Sequence, residues 1–212
     1  MDIAKYRSKA KDSFNTKLTM YVFDKVIQGE EKSIASEDFV KFKIDETLKN
    51  IYTAKYWQWD VSAKLKEICT QINSPVKTDL TIRDIYDEMK SLRERHKSDF
   101  KEFEAKYIAN FSEFFPEEEF QKLLEKECCH YCGITLQTIE DLTKAGKIFK
   151  KQLTRGWTFE IDRKDSNFEY TPDNTVACCY WCNNAKTDEF TEEEFLRVGE
   201  VLGKIWKRRL GR

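Results

Sequence analysis

The sequence predicts an α+β protein that is mostly helical. A helical N-terminal region over residues 1–126 is followed, over residues 127–212, by a zinc-stabilised module of two strands and a helix. Three observations predict this. Apolar side chains recur at three-and-four spacing through most of the first 126 positions. The last third holds two Cys-x-x-Cys knuckles, Cys129-His130-Tyr131-Cys132 and Cys179-Tyr180-Trp181-Cys182. Between the knuckles lie two short stretches with strand character, separated by turn-forming residues.

The elements follow in order. Thr19-Met20-Tyr21-Val22-Phe23 suits either a strand or a helix, whereas Phe39, Phe42 and Leu48 point to a helix behind a Ser36 cap. Ser62 caps a helix with Ala63, Leu65, Ile68 and Ile72 on one face. Thr81 caps another, with Ile82, Ile85, Tyr86, Met89 and Leu92 inward. Phe100, Phe103, Tyr107, Ile108 and Phe111 continue the rhythm and read as core. Pro116 suits a first helical turn, with Glu117, Glu118 and Glu119 at its positive end and Phe120, Leu123 and Leu124 on the buried face. Thr135 to Lys144 reads as a short helix with Leu136, Ile139 and Leu142 inward. Behind Gly156, Trp157 to Ile161 reads as the first strand, Tyr170 to Asn174 as a turn, and Thr175 to Cys178 as the second strand. The second knuckle opens a helix through Ala185 and Lys186. Thr191-Glu192-Glu193-Glu194 matches a capping box, and Phe195, Val198, Val201, Leu202 and Ile205 mark the final helix.

Composition narrows the function classes. Charged residues make up 35% of the chain, yet the net charge is −1. Residues 1–126 carry 23 basic and 24 acidic side chains, and residues 127–212 carry 14 of each. A nucleic-acid partner must therefore be held by a local patch, not by a global field. Seven glycines and three prolines argue against long flexible linkers. No apolar run reaches the roughly 18 residues of a membrane span, and Met1-Asp2-Ile3-Ala4-Lys5 opens no apolar signal region. The expected location is the cytoplasm, where paired cysteines are more often metal ligands than disulfides.

Four cysteines in two pairs suit tetrahedral zinc. Cys128 and Cys178 each precede a knuckle and could substitute at a longer spacing. Cys129, Cys132, Cys179 and Cys182 are preferred as the zinc ligands for their two-residue gaps, with Gly133 making the turn after the first pair. His130 reads as a spacer and Cys69 as a core residue. A second, harder metal is expected nearby. Asp162 closes the first strand and Asn183 opens the following helix, so a hairpin crossed by that helix brings both side chains to one point. A carboxylate and a carboxamide oxygen there suit Mg²⁺ or Mn²⁺, which would stabilise the charge of a phosphodiester in displacement.

Asp162, Tyr170, Asn174 and Cys179-x-x-Cys182-Asn183-Asn184-Ala185-Lys186 resemble the HNH, or ββα-metal, nuclease family in its zinc-stapled form. The plan of knuckle, aspartate and knuckle-plus-asparagine is also similar to that of phage recombination endonuclease VII. The resemblance spans about residues 127–190. It implies a divalent-metal DNA endonuclease in which Asp162 and Asn183 hold the catalytic metal and Asn174 braces the loop. The family places a general-base histidine directly after the strand-end aspartate; here that position is Arg163. Arginine keeps its proton, so Arg163 is expected to bind phosphate, and either Asp165 or a metal-bound hydroxide is the candidate to take the water's proton. Lys147, Lys150, Lys151, Arg155, Lys164 and Lys186 are the expected contacts to DNA, which is expected to be double-stranded. The basic end Lys207 to Arg209 is a second candidate surface, and the N-terminal region is a candidate for a protein partner. The competing class is a zinc-stabilised nucleic-acid-binding or protein-interaction module that has lost the chemistry.

Overall fold

The computed structural model describes residues 2–30, 34–54, 59–74, 76, 78–149 and 154–211. In chain order the helices are α1 (Ile3–Gln28), α2 (Ser36–Lys41), α3 (Glu46–Ala54), α4 (Leu65–Thr70), α5 (Ile82–Arg95), α6 (Lys97–Ala109), α7 (Phe111–Phe114), α8 (Glu117–Leu124) and α9 (Leu136–Lys144). Strands β1 (Glu160–Arg163) and β2 (Thr175–Cys178) follow, then α10 (Tyr180–Lys186) and α11 (Glu192–Arg209). The architecture is α+β and mostly helical, with one two-stranded antiparallel sheet among the described residues. The chain divides into two compact units. One is Arg7–Phe111; the other joins the start of α1, up to Tyr6, to Ser112–Arg212.

The helical unit is built on Phe39. Its ring stacks on Phe103 at 5.4 Å and meets Phe14 and Tyr21 edge-on at 5.5 and 5.3 Å. Thr19 to Phe23 lies inside α1, where Met20, Tyr21, Val22 and Phe23 are all buried. Tertiary packing settles a segment whose propensity is ambiguous. The Thr16 and Thr19 hydroxyls donate back to the Asp12 and Asn15 carbonyls, a bond compatible with helix.

Two helix starts differ from expectation. Ser62 caps no helix. Its amide and hydroxyl bind the Asp60 carboxylate, α4 begins at Leu65, and Ile72 lies beyond its end and is exposed. Ser36 is the first residue of α2 and Ala35 occupies the cap. The backbone turns extended at Phe42, and Asp45 accepts from the Leu48 amide to start α3. Thr81 caps α5 as the sequence indicates, reciprocally with Asp84.

In the second unit, Pro116 caps α8 and Phe120 packs against Tyr6 and Phe115. β1 starts at Glu160, three residues later than the alternation suggests, and Trp157 is half exposed. β2 and the start of α11, with its Thr191–Glu194 capping box, stand where the sequence puts them. The inward face of α11 agrees at Phe195 but not at the two valines. Val198 and Val201 are exposed, while Phe195, Gly199, Gly203 and Trp206 are buried. The reason is a close approach. A Cβ on Gly199 would strike the Tyr131 carbonyl, and one on Gly203 would come to 2.5 Å from the Cys132 carbonyl oxygen. Only bare backbone lets α11 lie directly on the first knuckle.

Gly199→Ala should therefore destabilise the second unit by about 1–3 kcal/mol. Val201→Ala, on the exposed face, should stay within about 0.5 kcal/mol. Urea unfolding of the two variants measures the difference. Tyr6 gives a pH test. Its hydroxyl donates to the Phe115 carbonyl at 2.5 Å, and burial, with Glu117 nearby, pushes its pKa up to about 12. The fold favours the neutral phenol, so the contribution is complete below about pH 10, the ordinary tyrosine value, and is lost as pH rises through about 12. Tyr6→Phe should flatten the fall in stability across that window.

Candidate functional site

The first knuckle is a tight turn. Gly133 takes a φ of 68°, its amide bonds to the Cys129 carbonyl, and the Cys129 amide bonds to the Ile134 carbonyl. The His130 amide ties the knuckle to β2 through the Ala177 carbonyl. In the second knuckle Cys179 is the N-cap of α10 and Cys182 sits in its first turn. The sulfurs of Cys129, Cys132, Cys179 and Cys182 all lie within 4.8 Å of one another. Cys132 and Cys179 are 3.7 Å apart. A zinc tetrahedron with bonds of about 2.3 Å has edges of about 3.8 Å, whereas a disulfide needs about 2.05 Å. The four side chains therefore fit a soft divalent ion.

Their acidities agree with that fit. Hydrogen bonds from the other three sulfurs draw Cys129 down, whereas Cys179 and Cys182 are pushed up by their neighbours, Cys129 foremost, and by burial. Four adjacent thiolates, three of them buried, need a cation to ionise together. Cys128 and Cys178 stand outside the cluster, and Cys69 is a buried residue of the helical unit. His130 is not in the cluster either; its Nε2 lies 2.7 Å from Glu192 at the start of α11.

β1 pairs with β2 in the register Glu160–Cys178, Ile161–Ala177, Asp162–Val176 and Arg163–Thr175. Alternation places Glu160 and Asp162 on one face. Asn183 and Lys186, three residues apart on α10, meet that face. The Asn183 amide nitrogen donates to Glu160 Oε2 at 2.5 Å. Lys186 Nζ lies 3.5 Å from Asp162 Oδ2 and donates to the Arg163 carbonyl at 2.9 Å. The Tyr131 hydroxyl donates to Asp162 Oδ2 at 2.7 Å. Burial pushes the Asp162 carboxyl up, opposed chiefly by Lys186 and then by Tyr131. Burial and the neighbouring Asp162 push Tyr131 up as well, which keeps its hydroxyl protonated as the donor.

Arg163 points the other way. Its guanidinium lies 4.9 Å over the Tyr170 ring and donates to the Phe168 carbonyl. Asp165 accepts from the amide and side chain of Asn167. The Asn174 side chain accepts from the Asp165 amide and donates to the Asp165 and Glu169 carbonyls. It spans the loop between the strands. The geometry thus gathers Asp162 and Asn183 along one face and leaves Arg163 and Asp165 with the loop.

The basic residues divide. Lys186 is fully buried against Asp162, which corrects its expected place at a DNA surface. A count of basic side chains does not register burial. Arg155 forks onto Glu160 at 2.9 and 2.6 Å, and Lys164 pairs with Glu192 at 3.8 Å. Lys147 is exposed; Lys150 and Lys151 lie outside the described residues. Glu160 was missed by the sequence reading. Its signal was the two-residue spacing from Asp162, which in a strand means a shared face. Glu160 holds the Arg155 fork and the amide end of Asn183, while the Asp162 carboxylate and the Asn183 carboxamide oxygen are hard donors of the kind that suits Mg²⁺ or Mn²⁺.

No family model matches the chain, and no curated protein does. Among solved structures it is similar to the rare-cutting HNH restriction endonuclease PacI, at 28% identity and a TM-score of 0.35, over 41% of this chain and 58% of that one. This chain therefore spans less than two thirds of that structure.

Purified protein should carry about one zinc per chain, because four cysteines complete a closed site. Cys129→Ser and Cys182→Ser should each lose it and loosen the fold around the knuckles, whereas Cys69→Ser should keep it. Elemental analysis with near-UV circular dichroism reads both. A metal-free protein with native dichroism would overturn the expectation.

Proposed function

We propose that residues 127–212 form an HNH-like module that hydrolyses DNA phosphodiester bonds with Mg²⁺ or Mn²⁺, on a double-stranded substrate. The observation that carries this reading is the shared face of Asp162 and Glu160 on β1 and Asn183 on α10, beside the four-cysteine cluster. Asp162 and Asn183 would hold the hard ion. When bound, the ion would supply electrostatic stabilisation of the displaced phosphate oxygens.

The chain's own side chains have separate tasks. Glu160 takes the amide end of Asn183 and leaves its carbonyl oxygen as the donor to a cation. Tyr131 and Lys186 both engage Oδ2 of Asp162 and so orient its carboxylate. Arg163 keeps its proton and cannot serve as base. Asp165, two residues further on, is the candidate to take the proton of the attacking water.

One observation favours the other class. Arg163 is engaged with Tyr170 and Phe168, in the position where the resemblance calls for a histidine base. In the second reading the module binds nucleic acid or protein and does not cut.

Plasmid nicking with Mg²⁺, with Mn²⁺ and with EDTA separates the two. In the first reading wild type nicks with metal, and Asp162→Ala and Asn183→Ala abolish nicking while retaining zinc. Glu160→Gln should lower the rate about 10- to 100-fold, as expected when a residue orienting a metal ligand is altered. Arg163→His supplies a base with a pKa near neutrality. A rise in rate would mean that arginine weakens the site, and a fall that the site is organised around it. No metal-dependent cleavage by wild type or by Arg163→His would replace the first reading with the second.

A further inference from the structure

Two basic segments that lie about sixty residues apart in sequence meet in this unit. Arg209, in the last turn of α11, donates through Nη1 to the Lys147 carbonyl just beyond α9. That bond sets Lys207, Arg208 and Arg209 beside the segment 147–149. Lys147, Lys207, Arg208 and Arg209 are all exposed, and no carboxylate pairs with them among the described residues. The acidic groups near the end of α9 are engaged elsewhere, Glu140 by Lys144 and Asp141 by Gln137.

The same segment presents an aromatic ring to water. Ile148 is buried at 4% exposure and anchors the chain, so its neighbours Lys147 and Phe149 turn outward. Phe149 is 82% exposed. A phenylalanine side chain left in water forgoes the gain of burying its ring. Arg209 also lies 5.2 Å over the Trp206 ring, and Trp206 packs at 5.5 Å on Trp181 of α10. The basic end is thereby fixed to the helix that carries Asn183.

Unpaired cations around a projecting flat ring match one chemistry closely. Phosphates of a nucleic acid need only the cations. A ring becomes useful when a base is unstacked and can lie on it. We propose that Lys147, Phe149 and the last turn of α11 form one surface for a single-stranded stretch of DNA, with its phosphates on Lys147, Lys207 and Arg208 and a base on Phe149. The inference rests on DNA being the partner, as proposed above, but not on cleavage.

The test is binding by fluorescence anisotropy, with the full zinc-loaded chain and no added Mg²⁺ or Mn²⁺. The probes are an oligothymidylate of about 20 nucleotides and a duplex of the same length. Phe149→Ala should weaken the single strand about 5- to 100-fold and move the duplex less than about twofold. Phe149→Trp should restore single-strand binding and Phe149→Leu should not, because stacking needs a ring. Lys147→Ala with Arg208→Ala should lower the salt slope by about 0.7 per lost contact on the single strand. Unchanged single-strand affinity in Phe149→Ala, or full activity of the leucine variant in binding, would overturn the proposal. If the duplex still binds in that case, DNA remains the partner and only the stacking surface falls. If wild type binds neither probe, both fall. A wild type that binds as described but never cuts leaves this surface standing and removes only the nuclease reading.

Discussion

The convergence of four sulfurs is the constraint on which the second unit depends. Its sheet has two strands of four residues, too little to hold itself in water. The cysteines bring the turn before α9 against the start of α10, and both strands lie in the stretch between. Tyr131, inside the first knuckle, passes that order on. Its carbonyl receives Gly199 of α11, its ring packs edge-on to Phe195 at 5.0 Å, and its hydroxyl reaches Asp162. One residue between two cysteines thus links the cluster, the last helix and the carboxylate face. Displacing the knuckle would disturb all three.

The carboxylate face is held by charge in a place with little water. Lys186 is fully buried and Asp162 nearly so. An isolated pair of this kind gains little in stability, because desolvation offsets its attraction, but losing either partner is costly. Tyr131 and the Arg163 carbonyl supply the remaining hydrogen bonds that make such a pair tolerable. The opposing influences on Asp162 follow from this. Burial favours the neutral carboxyl, and the ammonium and the phenol favour the anion. The pair fixes where the carboxylate points more than it strengthens the fold.

How much of this was legible depended on what kind of signal each residue carried. Thr81 and Thr191 announced helix starts because an N-cap followed three residues later by a carboxylate satisfies two backbone donors at once, and both boxes formed. Ser62 carried half of that signal, and a nearer carboxylate, Asp60, took it. On α11 the apolar count chose Val198 and Val201, yet the buried face runs through two glycines. Glycine adds nothing to an apolar stripe, so a helix docked by its backbone hides its inner face from such a count. Lys186 looked like one more surface cation because a sequence shows charge and not burial. Glu160 sits two residues before the strand-end aspartate, where only the shared face of every second strand residue marks it.

Strand alternation also separates two jobs that the resemblance assigns to neighbouring positions. Asp162 turns toward α10, and Arg163 turns toward Tyr170 and the loop. The loop already has a brace in Asn174, with bonds to Asp165 and Glu169. Arg163 adds a planar cation over an aromatic face and a bond to Phe168, contacts that a shorter imidazole would not reproduce together. The side that braces the loop is therefore distinct from the face shared by Glu160, Asp162 and Asn183. Arg163, at the position after Asp162, thus braces the loop from the side of the strand opposite Glu160 and Asp162.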